Sequence, residues 1–106
     1  MNPDKAEHCG THKLTDLPNV GPAIARHLES IGIRAPAEVT GQDPLALYEA
    51  LCAERGRRVD PCVLDVFLSI TDFMNGNPAR QWWEYTAERK RRYGGFLEAG
   101  EVKKGL

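Results

Sequence analysis

The chain has little of what usually announces a chemistry. It holds three cysteines, Cys9, Cys52 and Cys62, an odd count without paired spacing, which argues against a disulfide framework and fits free thiols in a reducing compartment. No apolar run approaches the ~20 residues that cross a bilayer, and Met1-Asn2-Pro3-Asp4-Lys5 lacks the basic-then-apolar layout of a signal peptide. A cytoplasmic location without membrane contact is expected. Net charge is also missing: 14 basic against 15 acidic residues leave −1, so the molecule has no broad positive field of the kind strong nucleic-acid binders carry. Any such contact has to be local. There is no P-loop, no GxGxxG, no HExxH and no GxSxG, and no grouping of base, nucleophile and orienting residue. A binding role is expected, not an enzyme, with no catalytic residue, no metal and no cofactor.

What the chain does have is helix punctuation. Asp43-Pro44, Asp60-Pro61 and Asn77-Pro78 each place a cap residue before proline; the cap accepts from an orphan amide, and proline has no amide to leave unpaired. Three helices are expected to start there, with Gly56, Gly76 and Gly94 as stops. After the second cap, Val63, Val66, Phe67, Ile70, Phe73 and Met74 recur at three- and four-residue steps, the spacing of one buried helix face. Leu47, Tyr48, Leu51 and Cys52 repeat the pattern one helix earlier, which places Cys52 inside as a small apolar residue. No segment alternates like a strand. The expectation is an all-α bundle of about five helices over 12–93, with flexible tails at 1–11 and 94–106.

Charge is uneven along the chain. Lys13 to Arg34 has three basic and two acidic residues, Gly41 to Asp65 three and five, and Ala79 to Lys104 seven and four, so the C-terminal part reads as the basic end. Arg89-Lys90-Arg91-Arg92 reads first as a helix end complementing the dipole. The tandem Trp82-Trp83 is expected to pack at a helix crossing, although neighbours on a helix point about 100° apart and one ring should be partly exposed. Cys62 sits where a helix dipole lowers a thiol pKa, without an obvious partner. His8, Cys9 and His12 are too few ligands for a structural zinc site.

The most informative stretch is Leu14-Thr15-Asp16-Leu17-Pro18-Asn19-Val20-Gly21, continuing through Pro22, Ala23, Ile24, Ala25, Arg26 and Leu28 to Ile31-Gly32. It resembles a helix-hairpin-helix motif, with Pro18, Val20, Gly21 and Ala25 matching the turn and the close crossing of the two helices. Val20 would plug the interface, Ile24, Leu28 and Ile31 would face the core, and Gly32 would end the second helix. Outward amides at the start of that helix, reinforced by its dipole, suit a phosphate, and such contacts read backbone and not bases. The candidate nucleic-acid-binding residues are Lys13, Asn19, Val20, Gly21, Ala23 and Arg26. Two of these depart from the motif: Asn19 replaces its first glycine, and Ala23 stands where a donor side chain is common. Weak, non-specific, salt-dependent binding to double-stranded DNA is expected, and a β-branched residue at Gly21 is expected to distort the turn. The alternative is a protein-interaction module on the same scaffold. A monomer is expected.

Beyond the hairpin, Gly41-Gln42-Asp43-Pro44, Leu47-Tyr48-Glu49, Asp60-Pro61-Cys62-Val63-Leu64-Asp65-Val66-Phe67 and Trp82-Trp83 followed by Thr86-Ala87-Glu88-Arg89-Lys90 resemble the small bacterial pathogenicity-locus family, from about His12 to Arg92. Some members of that family carry a mitomycin-resistance label. The resemblance implies a compact helical domain with the hairpin on its N-terminal side and supplies no settled biochemical activity.

Overall fold

The two Asp-Pro caps form as their chemistry dictates. In the computed structural model, which describes residues 13–93, helix α2 spans Pro44–Arg55 and helix α3 spans Pro61–Met74. The Asp43 carboxylate accepts from the Leu45 amide at 3.3 Å, and the Asp60 carboxylate accepts from the Cys62 amide at 2.9 Å. Gly56 closes α2 in the left-handed conformation at φ 69°, the usual C-terminal use of glycine. Helix α1 spans Pro22–Ser30 and gives way to Gly32 at φ 92°. A fourth helix, α4, covers residues 86–93.

The packing centres on α3. Residues 64–71 are buried without a break, so the helix is enclosed nearly all round, beyond the single face that apolar spacing suggests. α2, the 3-10 turn Trp82–Tyr85 and the 3-10 turn Pro36–Val39 pack against it, while α1 leans on α2 and on the 3-10 turn Leu14–Asp16. The core joins Leu17, Val20, Leu28, Tyr48, Leu51, Phe67, Ile70 and Phe73. Burying the polar residues of α3 requires partners. Ser69 Oγ donates to the Val66 carbonyl at 2.6 Å, and Thr71 Oγ1 donates to the Phe67 carbonyl at 2.9 Å. Asp65 accepts from Arg89 Nε at 2.5 Å and from Thr86 Oγ1 at 2.8 Å, which fastens α4 to α3.

The all-α class holds, with corrections. Among the described residues there are four α-helices and three 3-10 turns, not five helices. Asn77-Pro78 starts no helix. Asn77 turns back, its side-chain amide donating to the Asp72 carboxylate at 2.7 Å and its backbone amide to the Asp72 carbonyl at 3.2 Å. It therefore helps finish α3, and the next turn is entered at Gln81, whose amide donates to Glu84 at 2.9 Å. Within the described residues, the first arm of the expected hairpin is the three-residue turn Leu14–Asp16 and not a helix. The expected tails, Gly94 as a stop, and the His8, Cys9, His12 group lie outside the described residues. Among those described, no helix is long and apolar enough to cross a membrane.

Candidate nucleic-acid interface

The turn before α1 is built from its own side chains. Leu17 and Val20 are buried in the core, which anchors both sides of Pro18-Asn19. Asn19 takes φ 67°, a left-handed conformation that asparagine enters more readily than most residues. Its side-chain amide points inward, donating to Ser69 Oγ at 3.0 Å and to the Arg80 carbonyl at 2.8 Å. The turn is thereby tied to α3 and to the segment ahead of Trp82, over 50 and 61 residues of chain. Sequence spacing gives no sign of those partners.

Past the turn the backbone is open. Gly21 caps α1 with no side-chain bond, and Gly21, Pro22 and Ala23 are all exposed. The first helical bond runs from the Ala25 amide to the Gly21 carbonyl at 3.0 Å. Helix geometry leaves the Ala23 and Ile24 amides without an intrahelical acceptor, at the positive end of the α1 dipole. Arg26 is exposed about one turn further on, and Lys13 is exposed at the head of the Leu14–Asp16 turn. Gly21 itself is corrected: its φ of −97° and ψ of −173° are open to any residue, and a Cβ there would meet nothing within 4 Å. A side chain at this position need not distort the turn.

The basic residues sort differently from the charge count. Arg80, Arg89 and Arg92, in the stretch that reads as the basic end, pair with Glu84, Asp65 and Glu88. Another arginine group, in no ion pair among the described residues, lies where α1 meets the end of α2. Arg55 Nη2 lies 2.8 Å from His27 Nδ1, and burial, then Arg55, Arg26 and Arg57, hold the imidazole pKa below its usual 6.5. Sequence reasoning missed this group because its two halves stand 28 residues apart.

Cys62 is exposed, but burial of its surroundings and the neighbouring Asp60 raise the thiol pKa instead of lowering it, which leaves it a poor nucleophile at neutral pH. Cys52 is half-buried and accepts from the Val59 amide at 3.3 Å. Trp82 packs against the core, whereas Trp83 is 58% exposed, so the two rings do not both pack at a crossing. They lie on a 3-10 turn, where three residues per turn set neighbours about 120° apart, and they meet edge to face with centroids 5.7 Å apart.

Residues 7–91 match the model of the Pathogenicity locus family, Cdd1. The chain belongs to that family. A relative within reach is the mitomycin resistance protein McrB of Streptomyces lavendulae, 50% identical over 82 residues, which cover 77% of this chain and 78% of that one. No solved structure matches. The match to the Pathogenicity locus family takes in the turn before α1, the α1–α2 junction, α3 and most of α4.

Proposed function

We propose that this member of the Pathogenicity locus family binds the backbone of duplex DNA without sequence preference, as a monomer and without catalysis, and that the binding serves resistance to mitomycin. The observation behind the reading is the exposed first turn of α1. Amides at Gly21, Ala23 and Ile24 open at a dipole's positive end, Arg26 lies one turn on, and the Asn19 side chain is turned away into the fold. Backbone amides and one guanidinium suit a phosphate and ignore base identity. The resistance part rests on the name of the half-identical relative. With so few donors, affinity belongs at the weak end of the non-specific range, roughly 10⁻⁴ M.

The test is an NMR titration with a short duplex at 50 and 200 mM salt, concentrations on the order of those where counterion release is steep. The Gly21, Ala23 and Ile24 amides are expected to shift, less so at the higher salt, and Arg26→Ala to shrink the response with the spectrum otherwise unchanged. No movement of these amides at millimolar DNA and low salt would remove the reading. A protein-interaction module is the second reading. Trp83 favours it, being a large apolar ring left in solvent, and so does the mostly apolar cavity of about 130 Å³ lined by Ile24, Asp60, Cys62, Val63, Val66 and Trp82.

A further inference from the structure

We propose that the junction of α1 with the C-terminal end of α2, where Arg26, Arg55 and Arg57 surround His27, holds a phosphodiester of a nucleic-acid strand, as a second anchor beside the first turn of α1. The inference rests on the nucleic-acid reading above but on other residues, Arg26 alone being shared.

A guanidinium offers only donors, so in the 2.8 Å contact with Arg55 it is His27 Nδ1 that accepts; the ring is neutral with its proton on Nε2. His27 therefore orients Arg55 without cancelling its charge, which a carboxylate would do. The ion pairs among the described residues use Arg80, Arg89 and Arg92, and none involves Arg26, Arg55, Arg57 or Arg58. Arg55 against His27, with Arg26 and Arg57 near enough to act on the same ring and in no ion pair among the described residues, makes a local positive field in a near-neutral molecule. The acids on the same helices, Glu29, Glu49 and Glu54, are exposed.

Complementing the α2 dipole explains part of this arrangement and not the rest. The Gly56 and Arg57 amides already close the end of α2 by bonding the Ala53 and Cys52 carbonyls, each at 3.2 Å, and Arg26 belongs to a different helix. A second observation points to a missing acceptor. Beside Arg57 lies a cavity of about 440 Å³ lined by Glu49, Cys52, Ala53, Gly56, Arg57 and Arg58, and the Nε of Arg58, one of these lining residues, is buried without a hydrogen-bond partner. Buried donors are normally satisfied, and an orphan one calls for an acceptor. Arg26 follows Ala23 at the i to i+3 spacing that puts side chains on one helix face. A strand contacting the first turn of α1 thus meets Arg26 next, and Arg55 and Arg57 beyond it.

The experiment follows the His27 ring resonances through a pH titration of the full chain, alone, with a short duplex, and with inorganic phosphate. An anion beside the ring favours the imidazolium, so the duplex is expected to raise the His27 midpoint. Arg55→Gln and Arg57→Gln are each expected to lower the slope of log K against log salt by roughly 0.9. Arg91→Gln, on the exposed side of α4, removes the same charge away from the cluster and is expected to leave that slope unchanged. Glu49→Gln is expected to tighten binding, because its carboxylate opposes an anion at the cavity. All four positions are exposed, and the amide spectrum checks each fold. If duplex moves the α1 amides while His27 and the Arg55→Gln slope stay as they were, this inference fails and the nucleic-acid reading survives. If His27 and the slopes respond while Gly21, Ala23 and Ile24 do not, the junction is the anchor and the first-turn site fails. If phosphate alone at millimolar concentration reproduces the whole His27 response and duplex adds nothing, the site is one for a small anion and the strand proposal is overturned.

Discussion

Arginine is concentrated at two ends of this molecule, with opposite outcomes. Between α3 and α4, Arg89 reaches the fully buried Asp65, and Arg80 and Arg92 pair with Glu84 and Glu88 one turn away. Between α1 and α2, Arg55 meets an imidazole, and no carboxylate pairs with Arg26, Arg57 or Arg58 among the described residues. The first set is part of the scaffold. The second leaves charge unspent at the surface. A count of charges along the chain does not show this difference, because it records how many arginines a segment has and not what faces them.

The comparison breaks if the two sets prove equally structural. Asp65→Ala would leave the Arg89 guanidinium, 12% exposed, without its partner, and losing one member of a buried pair costs about 3 to 5 kcal/mol. Arg55→Gln is an exposed change away from the core and is expected to stay within about 0.5 kcal/mol of the parent. Urea denaturation of both variants checks this. A loss at Arg55 comparable to that at Asp65 would mean that the α1–α2 arginines hold the fold together and are not free for a ligand.

A smaller effect probes the link between the two regions. Asn19 binds the turn ahead of α1 to Ser69 on α3 while its backbone sits at φ 67°. Asn19→Gly removes the two side-chain bonds and keeps the backbone comfortable, a loss of about 1 to 2 kcal/mol. Asn19→Ala removes the bonds and adds left-handed strain, roughly 1 kcal/mol more. Thermal melts of the pair measure the difference. Equal melting temperatures would show that the turn does not depend on the left-handed conformation.

Much of the fold is legible in the sequence wherever the cause is local. Asp43-Pro44 and Asp60-Pro61 start helices because the cap and the amide it satisfies are two residues apart. Gly32 and Gly56 end helices because their own φ values require it. Asn77-Pro78 misleads for a physical reason: the Asn77 side chain, whose oxygen would have to accept from a new helix's first turn, is turned back so that its Nδ2 donates to Asp72, a choice that the dipeptide does not record. The candidate interface divides in the same way. The open first turn of α1 follows from Gly21, Pro22 and Ala23 alone, whereas the inward turn of Asn19, the Asp65–Arg89 pair and the His27–Arg55 contact join residues 50, 24 and 28 positions apart. These depend on the tertiary fold, as does the exposure of Trp83 beside a packed Trp82.

The smallest expected effect is a pH dependence that reports the burial of His27 and the charge around it. Burial and the repulsion of Arg55, Arg26 and Arg57 place its folded pKa below 6.5, while in the unfolded chain it returns to about 6.5. Above that pH the ring is neutral in both states and the folded state loses nothing. As pH falls below 6.5 the unfolded chain takes up the proton first, so stability declines until pH passes the lowered folded value, below which the His27 contribution stops changing. His27→Gln removes this titration and leaves every other group in place. The fall in melting temperature between about pH 7.5 and pH 5.5, on either side of the free imidazole value, is therefore expected to be larger for the parent than for the variant. A carboxylate close enough to neutralise the cluster would reverse the sign, raising the folded pKa and stabilising the parent on acidification. Identical falls in parent and variant would mean that neither burial nor the arginines lower the His27 pKa, and the contrast between the two ends of the molecule would lose its electrostatic support.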